Sequence, residues 1–142
     1  AKALAANFVS NKGKLPWPVE KGIVKLRYGV QPSSIDRTIS IKSNGVRIAT
    51  EEHAPVKAIF NGEVSGIILI KNANPIILIR HGNYLTAYKN LSKIFVKKGD
   101  KIDTGQVIGE VFTNSRTGES LLGFSLYKND KPLNPAEWIY KM

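Results

Sequence analysis

At 142 residues the chain has the length of one ordinary domain, enough to bury about two-thirds of its unfolded surface around a single core. Hydrophobic residues at 42% and charged residues at 23% argue against wholesale disorder, and no run approaches the roughly 20 apolar residues of a membrane-spanning helix. Cysteine is absent, which excludes disulfides and thiolate metal sites, and 21 Lys and Arg against 11 Asp and Glu leave a net charge of +10 that suits an acidic partner.

In chain order, "AKALAANFVSNKGK" opens with helix formers, with Leu4 and Phe8 four apart, and breaks between Asn11 and Gly13. The spacing predicts a short helix over residues 1–14, read as a linker stub, the end of a longer upstream helix or linker that contributes little to the core; the alternative is a short amphipathic docking helix. Opening at Ala1 without a signal peptide, the chain is expected to be a processed product or an excised fragment.

From Leu15 onward the pattern turns to strands: "IVKLRYGV", "TISIKSNGVRIAT", "VKAIFNGEVSGIILI", "PIILIRHGNYLTAYKNL", "QVIGEVFTN" and "LLGFSLYKND". Short runs rich in Ile, Val, Leu and Tyr, punctuated by Asn-Gly, Lys-Gly-Asp and Thr-Gly, predict an all-β antiparallel domain over residues 15–142. Asn61-Gly62 and Gly82-Asn83 are both expected to be hairpin turns, because these residues tolerate the positive φ that tight turns require. In "IFVKKGDKIDTGQVIGEV", Gly99 and Gly105 bracket a short segment in the rhythm of a strand returning across a compact sandwich.

The basic residues are scattered, as Lys12, Lys21, Lys42, Lys57, Lys71 and Lys93 illustrate, and form no nucleic-acid reader motif; nucleic acid is not an expected partner. His53 lies in the polar loop "TEEHAPV" and His81 at the turn "RHGNY"; two histidines far apart in sequence are read as solvated or turn-stabilising rather than as metal ligands.

Four segments in order, "APVKAIFNGEV", "IRHGNYLTAYKNLS", "VKKGDKIDTGQVIGEV" and "TGESLLGFSLYKNDKPLNPAEWI", resemble the LytM-type, lysostaphin-like zinc endopeptidase domain across roughly residues 15–139. The resemblance implies a small antiparallel β-sheet domain of the duplicated hybrid-motif type, with a groove that binds cell-wall peptide. It also implies an active site built from H-x-G-x-D, a His in a segment like "TLYAHLS", and H-x-H near the end. On that pattern Gly45 keeps the glycine of the first motif, Ser43 stands at the first zinc ligand and Arg47 at the aspartate. Asn90 stands at the catalytic His, and Leu121 and Gly123 at the final pair. A catalytic zinc needs about three protein ligands, and these residues supply none, so no cofactor or metal and no enzymatic activity are expected.

The loss of every ligand makes the chain similar to the EnvC-type murein hydrolase activators within that family. The resemblance implies a non-catalytic regulator on the extracytoplasmic side of a bacterial envelope, periplasmic in a Gram-negative cell, acting in cell-wall remodelling and daughter-cell separation. Its partner would be a peptidoglycan N-acetylmuramoyl-L-alanine amidase, docked in the former peptidase groove at Arg47, Lys57, Tyr88, Asn90, Leu121 and Tyr127. Gly123 departs from those activators, which tend to have an aromatic there. The alternative is an inactive module that binds peptidoglycan itself. "APVKAIFNGEV" with "VKKGDKIDTGQVIGEV" also resembles the barrels of biotinyl and lipoyl carriers, but the turn at Asn83 has no lysine to modify and Met142 is the only methionine.

Overall fold

The structure, a computed structural model, describes residues 2–142. One helix, α1 (Lys2–Ser10), precedes thirteen strands: β1 (Ile23–Leu26), β2 (Gly29–Pro32), β3 (Ser40–Ser43), β4 (Val46–Ala49), β5 (Pro55–Lys57), β6 (Gly62–Ile68), β7 (Ile76–His81), β8 (Tyr84–Lys89), β9 (Leu91–Ile94), β10 (Lys101–Ile102), β11 (Val107–Val111), β12 (Leu121–Lys128) and β13 (Lys131–Leu133). A single 3-10 turn, Pro135–Glu137, follows, its first residue a proline and its cap the Asn134 carboxamide, which accepts from the Ala136 amide.

The strands form an antiparallel sheet in the order β1-β4-β12-β8-β7-β6-β10, with β13 paired to the far end of β12. A three-stranded sheet β5-β11-β9 and a separate hairpin β2-β3 complete the domain. The all-β antiparallel expectation holds. Alternation along β12 shows how the layers are divided: Leu122, Phe124 and Leu126 are fully buried, while Leu121, Gly123 and Tyr127 on the opposite face are only half-buried. One contiguous core joins those inward residues to Ile48, Ile77 and Ile79 of the large sheet and to Val56, Ile108, Val111 and Leu91 of the small one.

The two expected hairpins divide. Gly82-Asn83 is a two-residue turn between β7 and β8, with His81 opposite Tyr84 and Gly82 at φ +69. Asn61-Gly62 is a corner instead: β5 and β6 belong to different sheets, and Gly62 pairs with Ile102 of β10. Asn61 brackets that corner, its carboxamide oxygen accepting from the Thr104 amide and hydroxyl at 2.7 and 2.9 Å. An Asn-Gly pair encodes the tight bend, and which strand comes next is decided by the pairing partners.

The N-terminal segment is also more than a stub. Phe8 is fully buried and its ring lies 4.9 Å from those of His81 and Tyr84, 5.2 Å from Trp138 and 5.6 Å from Phe60. Beyond the helix, Gly13 and Leu15 both donate their amides to the Trp138 carbonyl, which ties the start of the described chain to its end. A single aromatic on a short helix is a weak signal in sequence, and only the pocket of four rings shows that the helix completes the core.

Gly45 approaches β12 so closely that a Cβ there would lie 2.3 Å from Ser125 Oγ and 2.6 Å from the Phe124 carbonyl oxygen. Gly45→Ala is expected to force these apart at a cost of about 1–3 kcal/mol, measured by urea unfolding; an unchanged midpoint would show that the two strands can separate freely.

Candidate functional site

The large sheet's solvent face carries one row of cross-strand neighbours that defines the site. Leu26 of β1 faces Arg47 of β4, Arg47 faces Gly123 of β12, and Gly123 faces Lys89 of β8. Residues directly opposite in antiparallel strands project to the same side. Two cations therefore flank a glycine, and the missing side chain leaves a depression between them. Arg47, Lys89, Asn90, Leu121 and Gly123 line this groove, with a volume of about 380 Å³.

Asn90, between β8 and β9, shapes one wall. Its backbone sits at φ +69, a conformation asparagine tolerates better than most residues. Its amide nitrogen donates to the Leu121 carbonyl at 2.6 Å, and its carbonyl oxygen accepts from Asn74 Nδ2 at 2.7 Å. The Asn90 carboxamide thus bridges β12 to the loop between β6 and β7, and both ends of it are occupied.

The expected groove residues separate into those the fold brings together and those it does not. Arg47, Asn90, Leu121 and Gly123 converge. Tyr127 lies on the same face of β12 but about 13 Å along the strand from Gly123. Tyr88 is a correction: it is fully buried on the core face, and its hydroxyl accepts from the Ile59 amide at 3.0 Å. Burial pushes the Tyr88 phenol up to about 12, against smaller opposing effects of its bonds with Thr86 and Ile59. Lys89, its neighbour, takes the groove position; with a period of two, a shift of one residue moves a side chain through the sheet.

Lys57 is a second correction, since it belongs to β5 and lines a different concavity with Pro16, Trp17 and Gly22. Ser43 does not line the groove either. It ends β3, where its hydroxyl donates to the Gly45 carbonyl at 2.7 Å.

His81, expected to be solvated or to stabilise a turn, is fully buried at the end of β7. Its Nδ1 lies 2.6 Å from the Asn61 carbonyl oxygen, which only accepts, so Nδ1 carries the proton and Nε2 accepts from the Thr86 hydroxyl at 2.9 Å. The Thr86 and Tyr88 hydroxyls are 3.1 Å apart, which extends the chain of polar groups to the Ile59 amide. Burial lowers the His81 pKa to about 4, with the Asn61 bond acting weakly the other way. His53 is exposed, 3.6 Å from one Glu110 carboxylate oxygen that also lies 3.9 Å from Lys93 Nζ.

The groove does not suit a zinc ion. Arg47 and Lys89 bring basic side chains, Leu121 and Gly123 offer no side-chain donor, and Asn90 is already bonded at both ends. Among the described residues no group of three or more His, Asp or Glu side chains is placed to hold a metal.

The chain is similar to known proteins over most of its length. It is 36% identical over 95 residues to the peptidoglycan DD-endopeptidase ShyA of Vibrio cholerae, covering 64% of this chain and 21% of that protein. It is 26% identical over 102 residues to a lipoprotein NlpD/LppB homolog of Pseudomonas aeruginosa, covering 68% of this chain and 33% of that one. The chain therefore spans between about a fifth and a third of the length of these relatives. Among solved structures, it superposes on a zinc-containing peptidase from Vibrio cholerae with a TM-score of 0.73 at 24% identity, over 91% of this chain and 41% of that chain. A chain of the SpoIIQ–SpoIIIAH pore-forming complex gives the same TM-score at 21% identity, over 92% and 93% of the two chains. These likenesses show a shared LytM-type fold. The model of peptidase family M23 matches residues 41–135, a stretch that runs from β3 through both strands carrying Arg47 and Gly123 to the final 3-10 turn, and the chain belongs to that family.

Proposed function

We propose that the chain is a non-catalytic regulator that binds and activates peptidoglycan N-acetylmuramoyl-L-alanine amidases outside the cytoplasm, through the groove its peptidase relatives use for chemistry. The observation that carries this reading is the row Arg47–Gly123–Lys89: a family built around a dication has, at this place, two fixed cations and a glycine. Arg47 and Gly123 stand in the groove at two of the ligand positions that the family resemblance implies, and Ser43, at the third, ends β3 outside it. Such a surface suits a protein contact, and its lining residues offer no set of ligands for a metal that would activate water. The likeness to a lipoprotein NlpD/LppB homolog supports an envelope location, and no helix among the described residues is long and apolar enough to cross a membrane. A regulator of this kind needs only to bind the active form of the amidase more tightly than the inhibited one.

The test is release of dye from labelled peptidoglycan by purified amidase, with and without this chain, together with elemental analysis after dialysis. Release by the amidase that rises with added chain, no release by the chain alone, and no stoichiometric zinc are expected. Chelator-sensitive cleavage by the chain alone would overturn the reading. Retention on insoluble peptidoglycan without any effect on an amidase would replace it with a wall-binding module, to which the net charge of +10 is also suited.

A further inference from the structure

We infer that the depression over Gly123 is a carboxylate site, and that it receives one acidic side chain of the protein partner, held between Arg47 and Lys89. The inference rests on the reading of the groove as a partner surface and names what that surface recognises.

Geometry gives the first argument. Arg47 and Lys89 sit on strands either side of β12, both in register with Gly123, so their Cα atoms are about 10 Å apart across two strand spacings. Both side chains are long enough to lean over the glycine between them. A Cβ at Gly123 would already be 3.1 Å from the Lys89 Cβ, so any larger residue would fill the space.

Charge gives the second. Among the described residues neither Arg47 nor Lys89 lies within 4 Å of a carboxylate, and no acidic side chain lines the groove that they share. Two like charges side by side repel, and a carboxylate between them removes that repulsion while gaining two charge-assisted bonds. Asn90 adds no competing acceptor, because its oxygen is bonded to Asn74.

The third argument is size. The cations stop at this row: Leu121 lies to one side, and Ser125, two residues along β12 on the same face, is buried beneath Gly45. One carboxylate fits; a polyanion would find no further positive charge in the groove.

The experiment uses the full chain and the amidase that it activates, with affinity measured by calorimetry. Arg47→Gln and Lys89→Gln are each expected to weaken binding roughly tenfold, and Gly123→Ala to weaken it at least as much by filling the depression. Raised salt should weaken the wild type more than the Arg47→Gln, Lys89→Gln double variant. All four variants should melt near the wild type, since Arg47 is exposed and Lys89 and Gly123 are only half-buried. Wild-type affinity in both Gln variants would overturn the carboxylate site while leaving amidase activation standing; failure of every amidase to bind the wild type would overturn both. Binding of a soluble disaccharide-tetrapeptide muropeptide that is lost in the same variants would assign the site to peptidoglycan carboxylates and overturn its assignment to a protein partner.

Discussion

Replacing Phe8 with alanine is expected to lower the stability of the domain by about 3–5 kcal/mol, the range for removing a fully enclosed aromatic ring. Phe8 is the centre of a cluster in which four other rings, those of Phe60, His81, Tyr84 and Trp138, all approach within 5.6 Å, three of them stacked. The partners come from the β5–β6 corner, both sides of the β7–β8 turn, and the segment after the 3-10 turn, so none can move to fill the space without disturbing its own element. For a chain of this length the loss corresponds to a drop in Tm on the order of 10 °C. Val9→Ala, one residue on and 45% exposed, serves as the control and should barely shift the melt. Deleting residues 1–12 should destabilise at least as much as Phe8→Ala, because it removes the ring, the helix and the Lys12–Glu137 ion pair together. A deletion variant that melts with the intact protein would show the helix to be dispensable.

Acidification gives the second large effect. The unfolded chain protonates His81 near pH 6.5, while the buried imidazole holds out to about 4. Above pH 6.5 the ring is neutral in both states and contributes no pH dependence. As pH falls from there, the unfolded state takes up a proton that the native state refuses, so stability is lost at up to about 1.4 kcal/mol per pH unit. By the folded pKa the loss reaches about 3 kcal/mol, and below it the curve flattens. His81→Gln should be less stable at neutral pH, since it disturbs the line of bonds from Asn61 through Thr86 to Tyr88, yet it should lack this slope. The measurement is Tm against pH for both proteins, read as a difference so that carboxylates such as Asp36 cancel. Parallel curves through the window would mean that His81 is solvated in the native state.

Much of this protein is legible in its sequence where the determinant is local. Alternation and turn residues are enough for an antiparallel β domain, and Gly82-Asn83 turns where it should because Gly82 supplies the positive φ that this two-residue turn takes at its first position. What could not be read depends on contacts between distant segments. Tyr88 is an aromatic in the right segment, but a strand sends neighbours to opposite faces, and only pairing with β12 and β7 shows that Tyr88 goes inward and Lys89 outward.

Ser43 precedes β4 by three residues and Lys57 follows it by eight, yet each belongs to a strand of another sheet and neither lines the groove. Asn61-Gly62 and Gly82-Asn83 have the same composition and different outcomes, because a turn residue permits a bend and the strands on either side decide whether it becomes a hairpin or a corner between sheets. Phe8 and His81 are the clearest cases of the same division. One apolar residue on a nine-residue helix and one histidine beside a turn carry almost no signal in isolation. Burial is a property of the space the rest of the chain leaves, and it is that enclosed space, made by residues up to Trp138, that turns the first into a keystone and holds the second neutral.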